Sequence, residues 1–314
     1  LILALALASL ATLVVRHSHS AQAHVLCHSS LSRLDAVDGR EVLLIGAVAL
    51  DLDGASGELV RSALDVLRPD VVMVEGTWAA GVNAMVLSGN WELHGAPPAP
   101  KKLNWTDTGD TPAVELPQPK RRGIFPFRSA PVRYPDRSLV PVKVGQWAHH
   151  LRGSVGSDMS AAIAAAAERD VPLHFLGPQD GGFQGHVQVS LLAQQAASEL
   201  LEEEQQRGSQ LPPEDVDNAL RRAESHVREE ADKWLHDARS ETTRLNEHMA
   251  ERMPAKTRDA VTERIEVRTQ GLAERIARAM EEHKRGAVVL AVDQLVAVEG
   301  KLINAGFTYV SNCA

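Results

Sequence analysis

Glu75 stands directly after the apolar run Val71 to Val74, and Asp293-Gln294 follow a second run, Ala287 to Val292. Carboxylates at strand ends serve as general bases or as oxygen ligands for a cation. His174 alternates with apolar neighbours between Val171 and Leu176, and His186 follows a glycine-rich loop, Pro178 to Gly185, that carries Gln179 and Asp180. Acceptors from several strand ends can converge, so Glu75, His174, His186 and Asp293 form a candidate set for a divalent metal, with a metal-bound water as the nucleophile. The plainer reading of His174 is a core or rim histidine. Lys120-Arg121-Arg122, with Phe125, Phe127, Arg128, Arg133 and Arg137, is the one basic stretch with interspersed aromatic residues. It suits an acidic ligand, or else a solvated loop pinned by its rings.

These residues need a scaffold, and residues 41–77 supply its centre. Val42 to Leu50 is a strand pattern, residues 56–67 a helical one, and Val71 to Val74 a second strand ended by Glu75-Gly76. Strand, helix and strand with a crossover of that length predict parallel strands joined in the right-handed sense. Ligand sites in such sheets lie beyond the carboxyl ends of the strands, here Ala47 to Asp53 and Glu75 to Trp78. Further on, Asp158 to Arg169 is alanine-rich and helical, and residues 171–176 form a short buried strand. Residues 189–206 are helical. The charged stretch 214–284 is helix-compatible, with a break near Pro254 and an apolar stripe through Leu220, Ala231, Trp234 and Leu235. Residues 287–292 form a strand, 296–305 a helix and 307–310 a last strand. The expected fold is α/β, with a mixed or parallel sheet, flanking helices and a long charged helical segment.

The domain is expected over 41–310, after a connecting segment at 24–40. About residues 92–143, repeated prolines interrupt every period, which marks an insertion. A short helix is expected at 79–91.

With 314 residues, 44% of them hydrophobic, the chain can bury a substantial core, and a net charge of -8 argues against nucleic acid as the partner. Leu1 to Val15 is continuously apolar or small, and Ala21-Gln22-Ala23 has the form of a cleavage site. A spanning helix needs about twenty apolar residues, so the run reads as a signal peptide over 1–23, with a truncated membrane anchor as the rival. Either predicts the secretory pathway, with a secreted or membrane-associated protein. The sequon at Asn104 agrees with that route. Cys27 and Cys313 are either one terminal staple or two free thiols. His17, His19, His24 and His28 read as part of a solvated leader.

Several separated blocks resemble the TraB/GumN/Tiki superfamily. Ile45-Gly46-Ala47-Val48-Ala49 is similar to its first strand-end motif, and Arg68 to Glu75 to its Arg-Pro-Asp-x-Val-x-x-Glu strand. Gly156 to Ile163, Val267 to Ile276, and Ala291 to Leu295 resemble three later blocks. The resemblance implies a TraB-like α/β fold whose cleft is bordered by Gly46, Glu75, Asp158, Arg268, Asp293 and Gln294. Some members are metal-dependent proteases with a histidine in each of two motifs, and here those positions hold Ala49 and Gln294. An alanine has no donor atom and a glutamine is a weak neutral ligand. The Asp-Arg pair that members often carry after the third strand is also missing from Gly177 to Asp180.

The expectation is a degenerate TraB-like protein with a binding, regulatory or structural role, no cofactor, and a protein or peptide partner. A metal-dependent hydrolase with altered ligands is the first alternative. A helical interaction module using residues 214–284 and 120–137 is the second.

Overall fold

The computed structural model describes residues 25–76, 105–107, 138–177 and 184–314; for 105–107, Gln184, His186 and Val187 only the backbone is described. Asn104, the apolar start, the basic stretch at 120–137 and the helix expected at 79–91 lie outside these residues.

A mixed sheet forms the centre. Its strands are β1 (Leu31–Ala36), β2 (Glu41–Ala47), β3 (Val71–Val74), β4 (Trp105–Asp107), β5 (Leu173–Phe175), β6 (Arg285–Ala291) and β7 (Phe307–Ser311), in the order β4-β5-β3-β6-β2-β1-β7. Neighbours from β4 through β2 pair in parallel, while β1 runs antiparallel to both β2 and β7. As expected, β2 and β3 run the same way across helix α1 (Ala55–Leu67). They are not neighbours, because β6 lies between them. The last apolar strand of the sequence is therefore the middle of the sheet. Its run Ala287 to Leu290 is buried, as a strand covered on both faces requires.

Period two divides the sheet residues between two layers. Leu43, Ile45, Val72, Val74, Leu173, Phe175 and Val289 pack beneath α1 and α3 (Ser157–Arg169). The alanines of α3 let it lie close. Leu44, Met73, Val288 and Leu290 face α7 (Ala255–Ala279) and α8 (Leu295–Asn304). A third apolar cluster joins Leu50 and Val155 to α2 (Val140–Arg152), α4 (Gln184–Arg207) and α5 (Pro213–His236). Helix α2 begins a few residues earlier than the sequence suggests, because Pro141 falls in its first turn, where its missing N–H costs nothing.

The charged helical segment is three helices. Between α5 and α7 lies α6 (Ala238–Arg252), and the breaks fall at Asp237 and Pro254. Asp237 caps α6 by accepting the Ser240 N–H at 3.1 Å.

Residues 31–36, expected within a connecting segment, form β1. Leu31 and Leu34 are fully buried, yet Ser32, Arg33 and Asp35 hide the strand from a hydrophobicity pattern. Cys27 and Cys313 form a disulfide that extends the pairing of β1 and β7, flanked by bonds from His28 N–H to Asn312 O and from Ala314 N–H to Leu26 O. The membrane-associated and secretory assignment is corrected: among the described residues, no helix is long and apolar enough to cross a membrane.

Candidate functional site

The carboxyl ends of β2, β3 and β6 open on a cavity of about 50 Å³, room for a few water molecules. Its walls include Ala47 at the end of β2 and Ala49 just beyond it, Glu75 after β3, Ala291 at the end of β6, Asp158 in the first turn of α3, and Arg268 from α7. Val155 and Gly185 close one side. Parallel pairing sets this convergence, since it stacks the three strand ends at one edge.

Glu75 is buried and engaged on both oxygens. Oε1 accepts from Arg268 Nε at 2.9 Å and also from Nη2, and Oε2 accepts the Ala291 N–H at 2.9 Å. Its own N–H donates to Val289 O at 2.8 Å, so the backbone prolongs the β3–β6 ladder by one residue. The glutamate binds a strand end to a helix as well as bordering the cavity.

Asp158 has the opposite character. Burial, reinforced by the negative charges of Asp51 and Glu75, raises its pKa to about 6, although hydrogen bonds from its own and the Met159 backbone pull the other way. A carboxyl with such a pKa exchanges a proton near neutrality, as general acid–base chemistry requires. Gly156 makes the entry to α3 with φ 82°, and its N–H reaches Ala49 O at 3.1 Å. That bond holds the first turn of α3 against the loop after β2.

Asp293 sits in a 3₁₀ turn, Val292–Gln294, directly after β6. Burial and then Glu75 raise its pKa, opposed by Arg268 and a hydrogen bond involving Gln294. Gln294 is buried with its Oε1 2.9 Å from Thr269 Oγ1, so it fastens the turn to α7. Gly46 is a packing position: a Cβ there would lie 3.1 Å from Val292 Cγ2 and 3.3 Å from Leu295 Cδ2. Burial lowers the pKa of Arg275, which Glu75 opposes, and its Nη2 donates to Gly177 O at 3.0 Å.

Glu75, Asp158, Arg268 and Asp293 are therefore brought together, while His174 of the candidate metal set stands apart from them. His174 lies opposite Met73 in the β3–β5 register and meets His283, which precedes β6. It therefore faces the amino-terminal part of the sheet, and it is not among the residues lining the cavity. The side chain of His186, in α4, is outside the described residues. Among the described residues, no three His, Cys, Asp or Glu side chains are grouped to hold a metal ion.

Sequence reasoning missed Asp51, Arg275 and the Ala291 N–H. Asp51 was legible in part: it accepts the Asp53 N–H at 3.1 Å and the Ser56 N–H at 2.5 Å, the work of a capping aspartate ahead of α1. Arg275 and the Ala291 amide carry no sequence signal.

The fold is thus a mixed α/β sheet flanked by helices, with a small mixed-charge cavity at its carboxyl edge. No family model, curated protein or solved structure matches the chain.

Proposed function

We propose that the chain is a TraB-like α/β protein whose carboxyl-edge cleft no longer performs metal-dependent proteolysis and instead has a binding, regulatory or structural role. The observation that carries this reading is the engagement of Glu75. With Arg268 on one oxygen and the Ala291 amide on the other, the carboxylate is committed to holding β3 to α7. A general base or metal ligand needs a lone pair aimed at the reacting centre, and three of the roughly four lone-pair sites of Glu75 already accept hydrogen bonds. Ala49, which stands where the resemblance places a histidine, lines the same cavity with a methyl group. The small volume also favours a few waters or a small polar group over a peptide segment.

A second reading rests on Asp158. Its raised pKa and place on the cavity wall suit acid–base chemistry, so a hydrolase with altered ligands is the alternative.

Metal analysis and a broad peptide panel on the intact protein and on Glu75→Gln separate the two. The degenerate-cleft reading expects no peptidase activity and no bound metal that depends on Glu75. Peptide cleavage lost together with metal in Glu75→Gln would overturn it.

A further inference from the structure

At the opposite, amino-terminal edge of the same sheet, four polar side chains come together from three adjoining segments. His174 extends from β5, His283 and Glu282 precede β6, and Asp70 precedes β3. The two imidazoles meet edge to face with ring centroids 5.8 Å apart and an interplanar angle of 78°. Among the described residues, the buried His174 Nδ1 has no hydrogen-bond partner. A buried ring nitrogen without a partner is destabilising unless something satisfies it.

We propose that His174 and His283 together bind a divalent transition-metal ion of the zinc or copper type, at a site separate from the Glu75 cavity. Each imidazole supplies one nitrogen lone pair and water completes the coordination, giving an open and exchangeable site. Two imidazoles without thiolates favour zinc or copper over magnesium or calcium, which prefer oxygen ligands. Entry is available on the His283 side, where the side chain keeps 17% of its surface exposed.

The surroundings suit a cation. Asp70 is fixed by the Lys284 and Arg285 N–H groups, each at 3.0 Å, and its Oδ1 lies 3.9 Å from His283 Nδ1. At that distance the carboxylate supplies negative charge beside the ring without a hydrogen bond to it. Glu282 adds a negative charge near His174.

Another histidine pair lacks this freedom. His28 and His236 have centroids 6.4 Å apart. The His28 Nδ1 already accepts the Ser30 N–H at 3.2 Å, and His236 Nδ1 lies 3.0 Å from Asp232 Oδ1.

The test uses the full chain, stripped with a chelator and titrated with Zn²⁺ against a chromophoric competitor. Copper loading followed by electron paramagnetic resonance then reports nitrogen ligands. About one ion per chain is expected, with affinity at least about 10-fold weaker in His283→Gln and in His174→Gln. Glu75→Gln, and a variant with His17, His19 and His24 all changed to Gln, should bind as the parent does. His283 is on the open side of the pair, so its variant decides the matter if His174→Gln fails to fold. Unchanged affinity in His283→Gln, loss of binding in the leader variant, or no binding at all would each overturn the site. Because the Glu75 variant is scored separately, this site and the degenerate cleft fail independently.

Discussion

Arg268 Nε donates to Glu75 Oε1 at 2.9 Å, joining residues 193 positions apart. The Glu75 side chain is 3% exposed and that of Arg268 is 19% exposed, so the pair works largely out of water. Removing one member strands the other, which typically costs about 3–5 kcal/mol, whereas replacing both by apolar groups of similar volume is often close to neutral. Arg268→Met should therefore lower unfolding free energy by about 3 kcal/mol, and the double variant with Glu75→Leu should recover much of that loss. Urea unfolding of the singles and the double checks it. Additive losses would show that the two residues act separately.

Asp158 should make stability depend on pH. Its pKa is raised to about 6 from an ordinary value of 3.8, so the folded state holds the proton more tightly than the unfolded chain. The contribution is fully present below about pH 4 and is lost as pH rises through about 6. Asp158→Asn, neutral throughout, should be more stable than the parent above pH 6 by about 2–3 kcal/mol and should lose that advantage near pH 4. Unfolding curves at several pH values read the difference directly, and a gap that stays constant with pH would refute the assignment.

Gly46→Ala tests whether that glycine is there for packing. The added Cβ meets Val292 Cγ2 at 3.1 Å and Val292 Cα at 3.3 Å, where β2 passes the turn after β6. The backbone contact cannot rotate away, so a loss of about 1–3 kcal/mol is expected. Thermal melting measures it, and a melt matching the parent would mean that the turn yields freely.

The disulfide between Cys27 and Cys313 closes a loop with a sequence separation of 286 residues. A cross-link of that span mainly restricts the unfolded chain, and native disulfides typically contribute about 2–5 kcal/mol. Cys27→Ser with Cys313→Ser should lower the urea midpoint by a corresponding amount, and reductant should bring the parent to the same midpoint. If reductant shifts the parent but the double variant melts as the oxidised parent does, the bond is not the cause.

Much of the architecture was legible because it rests on local periodicity. Runs such as Val71 to Val74 and Ala287 to Leu290 are short, continuously apolar and rich in β-branched residues, which suits buried strands, and the crossover length through α1 favours parallel β2 and β3. The break at Pro254 and the helix at Ser157–Arg169 follow from backbone chemistry in the same way. β1 escaped notice because LSRLDA is half polar, and its place between β2 and β7 is decided by pairing.

By itself the sequence determined the α/β class and the positions of Glu75 and Asp293 at strand ends. Tertiary structure alone decided what those carboxylates do. Inserting β6 between β2 and β3 put the Ala291 amide and Arg268 against Glu75, and strand register turned His174 away from that cavity towards His283. The physical reason is range. Side-chain periodicity acts over a few residues and is written in the chain, whereas an ion pair, a pKa or a ring contact depends on partners that folding brings in from far along it.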